Sequence, residues 1–189
     1  MQLVQGMGPS RLWSTSEDQT WLVQTQEDRL IVNWRKVYPE SSYPGFDPLR
    51  ERLARLHAEL DRPAGSELAP LVAEFTYVNQ IVADGDGLHS VYSMFQKPQH
   101  GIPGHIIAER YEAVSGFDTD HGAGQLNVVI QPIPGMEPST TLTVSTKVFA
   151  GRELQERDFV ALIETAHAYS KKAFFAVVLE SATSRWEGP

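Results

Sequence analysis

The feature that most constrains this fold is the regular alternation of apolar and polar residues between positions 71 and 82. Alternation with a period of two predicts a long β-strand that has one face against a core and the other toward solvent. Asn79 falls on the apolar face, where a buried amide needs hydrogen-bond partners. The residues predicted to face the core are Leu71, Ala73, Phe75, Tyr77 and Ile81, and those predicted to face solvent are Glu74, Thr76 and Gln80.

Further runs of β-forming residues follow at 89–95, 105–114, 125–131 and 140–149. Clusters of Gly, Pro and Asp separate them, and nothing between them has helical periodicity, which is typical of antiparallel strands joined by loops. A β-meander is predicted over 11–36, with polar turns at 16–19 and 26–29. These runs together predict a mostly antiparallel, curved sheet.

Two helices complete the pattern. The first is expected to be capped by Asp47, with Pro48 at its first position, and to be stopped by Pro63 and Gly65. Its narrow apolar stripe consists of Leu49, Leu53, Leu56 and Leu60. The second helix, at 157–182, has a wide apolar stripe that requires a sheet to pack on. We therefore predict a single α+β domain over 1–189, with residues 1–10 flexible, one mid-chain helix and a long C-terminal helix packed on the sheet.

Composition narrows the class of protein. The chain has 189 residues, and 16 basic residues against 24 acidic ones give a net charge of −8, which argues against nucleic-acid binding because that requires a basic surface. There is no cysteine, so disulfides and thiolate metal sites are excluded. The first nine residues contain no Lys or Arg and no apolar core of a signal peptide. No apolar run approaches the length of a membrane span. We expect a cytoplasmic protein with no cofactor and no membrane contact.

Three blocks resemble a sporadically distributed bacterial family of uncharacterised proteins. They are the segment from Arg11 to Lys36, with its Asp28-Arg29 and Asn33-Trp34-Arg35 motifs and Tyr43-Pro44 downstream; Glu74-Phe-Thr-Tyr-Val-Asn79; and the C-terminal helix with His167. The resemblance implies no activity, cofactor or catalytic residue. It implies an additional N-terminal strand and helix that this sequence lacks, and therefore an exposed sheet edge at the meander.

Four residues are candidates for ligand binding. Asn33 and Arg35 are polar residues within or beside a predicted strand, and an Arg on a strand face can bind a carboxylate or phosphate, although ordinary cross-strand pairing is the alternative. Asn79 and Tyr77 lie on the apolar face of the long strand, where an amide serves either as a structural anchor or as a polar group in a ligand pocket.

Five further residues lie in two polar segments that could meet to form a metal site. They are His100, His105, Asp118, Asp120 and His121. Imidazole and carboxylate are the ligands of Zn and Fe sites, but the same residues are common in solvated turns.

The sequence contains no nucleotide-binding loop, no metalloprotease motif and no nucleophile elbow. The leading hypothesis is a non-enzymatic bacterial protein-binding module, such as a defence or toxin–antitoxin accessory protein. It would bind a protein partner, or a second copy of itself, through an exposed sheet edge. The alternatives are a small-molecule-binding protein with a cavity between the C-terminal helix and the sheet, and a metal-dependent enzyme using the His and Asp residues of the loops.

Overall fold

The structure, a computed structural model, describes residues 2–4, 11–64, 70–83, 87–95, 110–136, 139–151 and 159–186. The chain divides into two compact units, Met1–Ala69 and Pro70–Pro189. Each unit has its own antiparallel sheet and its own helix, which confirms the α+β class with a mid-chain helix and a C-terminal helix packed on a sheet. The sequence pattern did not predict that the strands would divide between two sheets, and the single-domain interpretation stays a prediction.

The first unit is a four-stranded meander followed by a helix. Its strands are β1 (Gln2–Val4), β2 (Arg11–Thr15), β3 (Trp21–Thr25) and β4 (Leu30–Trp34), paired in chain order. Both predicted turns are present, since the hairpins close over 16–20 and 26–29. β1 pairs with β2 in the N-terminal segment that was predicted to be flexible, so β2 is not an edge strand. The resemblance implied an exposed edge at the meander over 11–36, and among the described residues the edge strands of this sheet are β1 and β4.

The helix of this unit, α1 (Phe46–Ala64), packs against β4. It begins one residue before the predicted cap, so Asp47 lies in the first turn, where its carboxylate pairs with the Arg50 guanidinium at 3.3 Å. The Arg52 guanidinium lies 4.3 Å from the ring centroid of Trp21, whose register partner is Trp34. A cation above an aromatic face is attracted to it, so α1 and the sheet meet through this contact.

The second unit contains β5 (Val72–Val82), β6 (Tyr111–Thr119), β7 (Gly122–Pro132) and β8 (Ser139–Phe149). Their order in the sheet is β5-β8-β7-β6, with all neighbours antiparallel. β5 and β6 are thus the edge strands among the described residues. The predicted strand at 89–95 is wrong, because that segment forms two short 3₁₀ turns, at Leu88–Ser90 and Ser93–Phe95.

The long helix α2 (Phe159–Val177) lies on one face of this sheet and packs mainly against β5 and β8. It buries one stripe of residues: Leu162, Ile163, Ala166, Ser170, Ala173 and Val177. The predicted helix to 182 is interrupted after Val177, and α3 (Glu180–Trp186) follows. The reason is local docking, since Val178 bridges to Tyr92 and the Leu179 N–H donates to the Val91 carbonyl at 2.8 Å. Within the part of the chain that is described, no helix has both the length and the apolarity that crossing a membrane requires.

Glycine permits an unusually close contact on the face under α2. Gly124 lies opposite Phe117 in the β6–β7 pairing, and a Cβ at Gly124 would overlap the Phe117 ring. That ring stacks on Tyr169 of α2, with centroids 3.9 Å apart and planes 10° from parallel. The missing side chain therefore lets an aromatic pair connect the helix to the β6 side of the sheet.

Candidate binding edge on β5

The outer edge of β5 presents a row of backbone hydrogen-bonding groups. The Leu71 carbonyl accepts from the N–H of Ala150, the residue opposite it when the β5–β8 register is continued by one position, at 2.9 Å. Because hydrogen-bonded and non-hydrogen-bonded pairs alternate along an antiparallel ladder, the odd-numbered residues of β5 are the ones whose backbone groups bond to β8. The N–H and C=O groups of the even-numbered residues therefore point away from β8. In the described part of the chain no strand pairs with that side of β5. The residues concerned are Val72, Glu74, Thr76, Val78, Gln80 and Val82.

This edge lacks the features that usually prevent strand addition. β5 contains no proline and no lysine, and its register with β8 runs without a bulge over its whole length. Two of its valines are largely exposed, Val78 at 66% and Val82 at 60%. A long, flat edge strand with exposed β-branched side chains is a template for another strand.

Behind the edge, aromatic and polar side chains of β5 meet α2. The Tyr77 hydroxyl lies 3.0 Å from His167 Nε2, and both side chains are half-buried. The ring of Phe75 makes edge-to-face contacts with Tyr77 and with His167, at centroid distances of 4.8 and 4.9 Å. The ring of Phe174 also lies near Tyr77, with the two centroids 6.2 Å apart. These contacts hold the inner face of the edge strand against the helix.

A buried hydroxyl pair fixes α2 over the same strand. The Ser170 hydroxyl lies 2.7 Å from Thr146 Oγ1 and 3.1 Å from the Phe75 carbonyl oxygen, and both side chains are fully buried. Because Ser170 has one proton, it can donate to the carbonyl while it accepts from Thr146. α2 is therefore joined to both β5 and β8 at one point.

The predicted ligand-binding residues separate into two pairs. Tyr77 and Asn79 share the inner face of β5, as predicted, and Asn79 Nδ2 is buried without a hydrogen-bond partner among the described residues. Leu71, predicted to face the core, is instead 79% exposed. Asn33 and Arg35 belong to the first unit, where Asn33 is an exposed residue of β4.

Arg35 has a structural contact in that unit. Its Nε donates to the Gln19 carbonyl at 2.8 Å, and its backbone N–H donates to Thr20 at 2.9 Å. Gln19 has a φ of 58°, a left-handed conformation that costs energy for a residue with a side chain. Asp18 supports the same turn by accepting from Ser16 and Thr20, and these hydrogen bonds, that of Ser16 first, hold the pKa of Asp18 below its ordinary value. Arg35 therefore stabilises a hairpin turn.

Of the predicted metal ligands, His100 and His105 lie outside the described residues. Asp118 is in β6, and Asp120 and His121 form the β6–β7 turn. The His121 N–H donates to Thr119 Oγ1 at 3.1 Å, and its carbonyl accepts from the Gly151 N–H at 3.0 Å. Among the residues with described positions, no three His, Asp or Glu side chains are grouped as a metal ion requires.

Sequence reasoning identified β5 as a long strand but could not show that it lies at the edge of its sheet. The edge position follows from β8 lying between β5 and β7, and the β5–β8 pairing joins residues more than fifty positions apart, which no local pattern reports. His167 was noted in the sequence, but its contact with Tyr77 spans ninety positions of the chain. Comparison with known proteins adds nothing to the geometry, because no family model, no curated protein and no solved structure matches this chain.

Proposed function

We propose that this protein is a non-enzymatic protein-binding module whose β5 edge accepts a strand from its partner. The observation that carries the proposal is the row of outward-facing backbone groups on β5, flanked by the exposed Val78 and Val82. Backbone hydrogen bonds would supply affinity, and the side chains on either face of β5 would supply selectivity.

The chemistry of the described residues favours this function over the two alternatives. A small-molecule site under α2 would need open space, but Phe75 is 8% exposed there and the neighbouring rings contact one another. Two shallow depressions lie on the first unit, one beside Asp28 and Arg29 and one beside Trp21 and Arg52. A metal-dependent reaction would need the predicted loop residues to converge; His100 and His105 lie outside the described residues, and among those that are described Asp118, Asp120 and His121 do not form a metal-binding group by themselves.

The resemblance described for residues 11–36, 74–79 and the C-terminal helix supports a bacterial setting for this binding. In that setting the module would serve as an accessory protein in defence or in a toxin–antitoxin pair. The acidic net charge of −8 favours a protein partner over nucleic acid.

The test uses two proline substitutions on the two edge strands. Val78 of β5 and Val114 of β6 are both exposed, and both have an outward N–H. For Val114 this follows in two steps. The His121 carbonyl accepts from the Gly151 N–H, so the odd-numbered residues of β7, including Asn127, bond to β8. Val114 lies opposite Asn127, so its own backbone groups do not bond to β7 and point away from the sheet. Proline at such a position removes a donor without breaking a hydrogen bond of the monomer.

A partner identified by affinity capture is purified, and its affinity is measured for the wild-type protein, Val78→Pro and Val114→Pro. We expect Val78→Pro to weaken binding at least tenfold and Val114→Pro to leave it unchanged. Amide exchange should slow in 72–82 when the partner binds. Equal affinity for all three proteins would show that β5 is not the binding edge.

A further inference from the structure

We infer that the strand bound by this edge is β5 of a second copy of the chain, antiparallel to the first, with Tyr77 opposite Tyr77 across a two-fold axis. The inference rests on the proposed function of the β5 edge and names its partner. The resulting dimer has one continuous sheet, with both α2 helices on the same face, because a two-fold axis perpendicular to a sheet preserves its faces.

The sequence of β5 is complementary to itself in this register. Residues whose numbers add to 154 lie opposite each other, so all outward-facing backbone groups of both copies find partners. Val72 then lies opposite Val82, Thr76 opposite Val78, and the Glu74 carboxylate opposite the Gln80 amide. The only charge on the strand thus meets a hydrogen-bond donor, and no like charges oppose each other.

The neighbouring registers are worse. Shifting the pairing so that Thr76 lies opposite itself places the Glu74 carboxylate opposite Val78 and leaves Val82 unpaired. The opposite shift, with Val78 opposite itself, places Glu74 opposite Val82 and leaves Val72 unpaired. Each shift therefore loses the Glu74–Gln80 contact together with backbone hydrogen bonds at both ends of the paired strands.

The position of α2 fits the same dimer. The helix packs against β5 and β8, so its axis lies above the region between them. With strands about 4.8 Å apart, two such helices on either side of a β5–β5 contact would be about 10 Å apart. That separation is within the range of packed helices, about 8–10 Å. The two helices would therefore pack on each other without displacement from their own sheets.

One flank of α2 carries His167, which contacts Tyr77 of β5, and the other carries Tyr169, which stacks on Phe117 of β6. The flank with His167 is therefore the one that would face the β5–β5 contact. Lys171 and Phe175 follow His167 at helical spacing and share its flank. Phe175 is 57% exposed, and the dimer would cover it. Lys171 lies on the same flank, and its long stem allows the ammonium group to turn toward solvent.

The register can be read directly, because the chain contains no cysteine to interfere. Thr76→Cys and Val78→Cys are prepared separately, and each protein, and their mixture, is treated with a short bifunctional thiol reagent. We expect efficient cross-linking only in the mixture, where Cys at 76 meets Cys at 78. Efficient cross-linking of Thr76→Cys alone or of Val78→Cys alone would indicate one of the shifted registers and overturn the inference, as would no cross-linking in any sample.

A charge change at Gln80 tests the same contact without any reagent. Gln80 is exposed and has a 3.9 Å contact with the Met136 sulfur, so the fold should tolerate its replacement. Gln80→Glu places two pairs of like charges across the axis and should weaken the dimer about tenfold, whereas Gln80→Lys creates two opposite-charge pairs and should strengthen it. Dissociation constants from sedimentation of purified wild-type and variant proteins give the result, and thermal unfolding confirms that both variants fold.

The outcomes separate this inference from the proposed function. A purified wild-type protein that stays monomeric at millimolar concentration, but whose binding to another protein is weakened by Val78→Pro, overturns the second copy as partner and leaves the binding edge intact. A dimer insensitive to Val78→Pro and to both Gln80 variants overturns the inference as well. A dimer weakened by Val78→Pro and Gln80→Glu, and strengthened by Gln80→Lys, supports it.

Discussion

Replacing Ser170 by alanine should destabilise the second unit by about 1–3 kcal/mol. Ser170 and Thr146 are both fully buried, and their hydroxyl oxygens are 2.7 Å apart. Removing the serine hydroxyl leaves the Thr146 hydroxyl without its partner in an environment closed to water, and an unsatisfied buried polar group carries about this cost. The Phe75 carbonyl also loses its contact with Ser170.

The reverse change, Thr146→Val, should cost less, about 0.5–1.5 kcal/mol. Ser170 keeps the Phe75 carbonyl, 3.1 Å away, as an acceptor for its proton, so no donor is left unsatisfied. In the double variant both hydroxyls are absent, and the total loss should be smaller than the sum of the single losses by roughly 1 kcal/mol.

Urea denaturation followed by far-UV circular dichroism measures these free energies, with the slope of the transition as a check that the same surface unfolds in each variant. Ser184→Ala is the matched control, because that serine also lies in a helix but is exposed and bonds only to the Glu180 carbonyl in its own helix. It should change stability by less than about 0.5 kcal/mol. Strictly additive losses of unfolding free energy for Ser170→Ala and Thr146→Val, or a loss for Ser170→Ala no larger than that of the control, would refute the argument that this buried hydroxyl pair stabilises the packing of α2 on the sheet.

Two further substitutions probe the same sheet. Gly124→Ala should cost about 1–3 kcal/mol, because the new methyl group must displace the Phe117 ring from its stack on Tyr169; urea midpoints measure the loss, and an unchanged midpoint would contradict the stacking. Tyr92 is fully buried and bonded to Thr140 at 2.7 Å, and burial, only partly opposed by that hydrogen bond, raises its pKa. Since the folded state then holds the phenolic proton more tightly than the unfolded state, stability should be complete below about pH 10 and fall above it. Unfolding measured from pH 8 to 11 should show a weaker alkaline loss for Tyr92→Phe, and identical pH profiles would count against the buried phenol.

How much of this fold could be predicted depends on how local its causes are. The strand over 72–82 was predictable because alternation is a property of neighbouring residues, and α1 was predictable because its leucine stripe and its start signal, Asp47-Pro48, lie within one short segment. The helix continues one residue past Pro63, to Ala64. The strand predicted at 89–95 failed for the opposite reason. Val91 and Tyr92 are buried where the chain contacts the segment before α3, and this burial explains why the positions hold large side chains. A buried 3₁₀ turn has no periodicity that distinguishes it from a short strand.

The candidate site shows the same division. The sequence indicated that Asn79 and Tyr77 share a face of β5, since residues two apart on a strand point the same way. The family resemblance implied an exposed edge at the meander over 11–36, where β1 and β4 are the edge strands among the described residues, and no sequence pattern indicated that β5 would also lie at an edge.

Which strand lies at an edge is decided by pairing order, and that order depends on the return of β8 to β5 across more than fifty residues of chain. The alternation that identified β5 therefore carries two kinds of information. Its odd-numbered residues explain how the strand packs under α2. The even-numbered Glu74 and Gln80 make surface contacts among the described residues, with Thr76, Ser145, Lys147 and Met136. Glu74 has an intramolecular reason in its contacts with Ser145 and Lys147, and the β5–β5 pairing that we infer would add a second one by placing its carboxylate opposite Gln80 of the other copy.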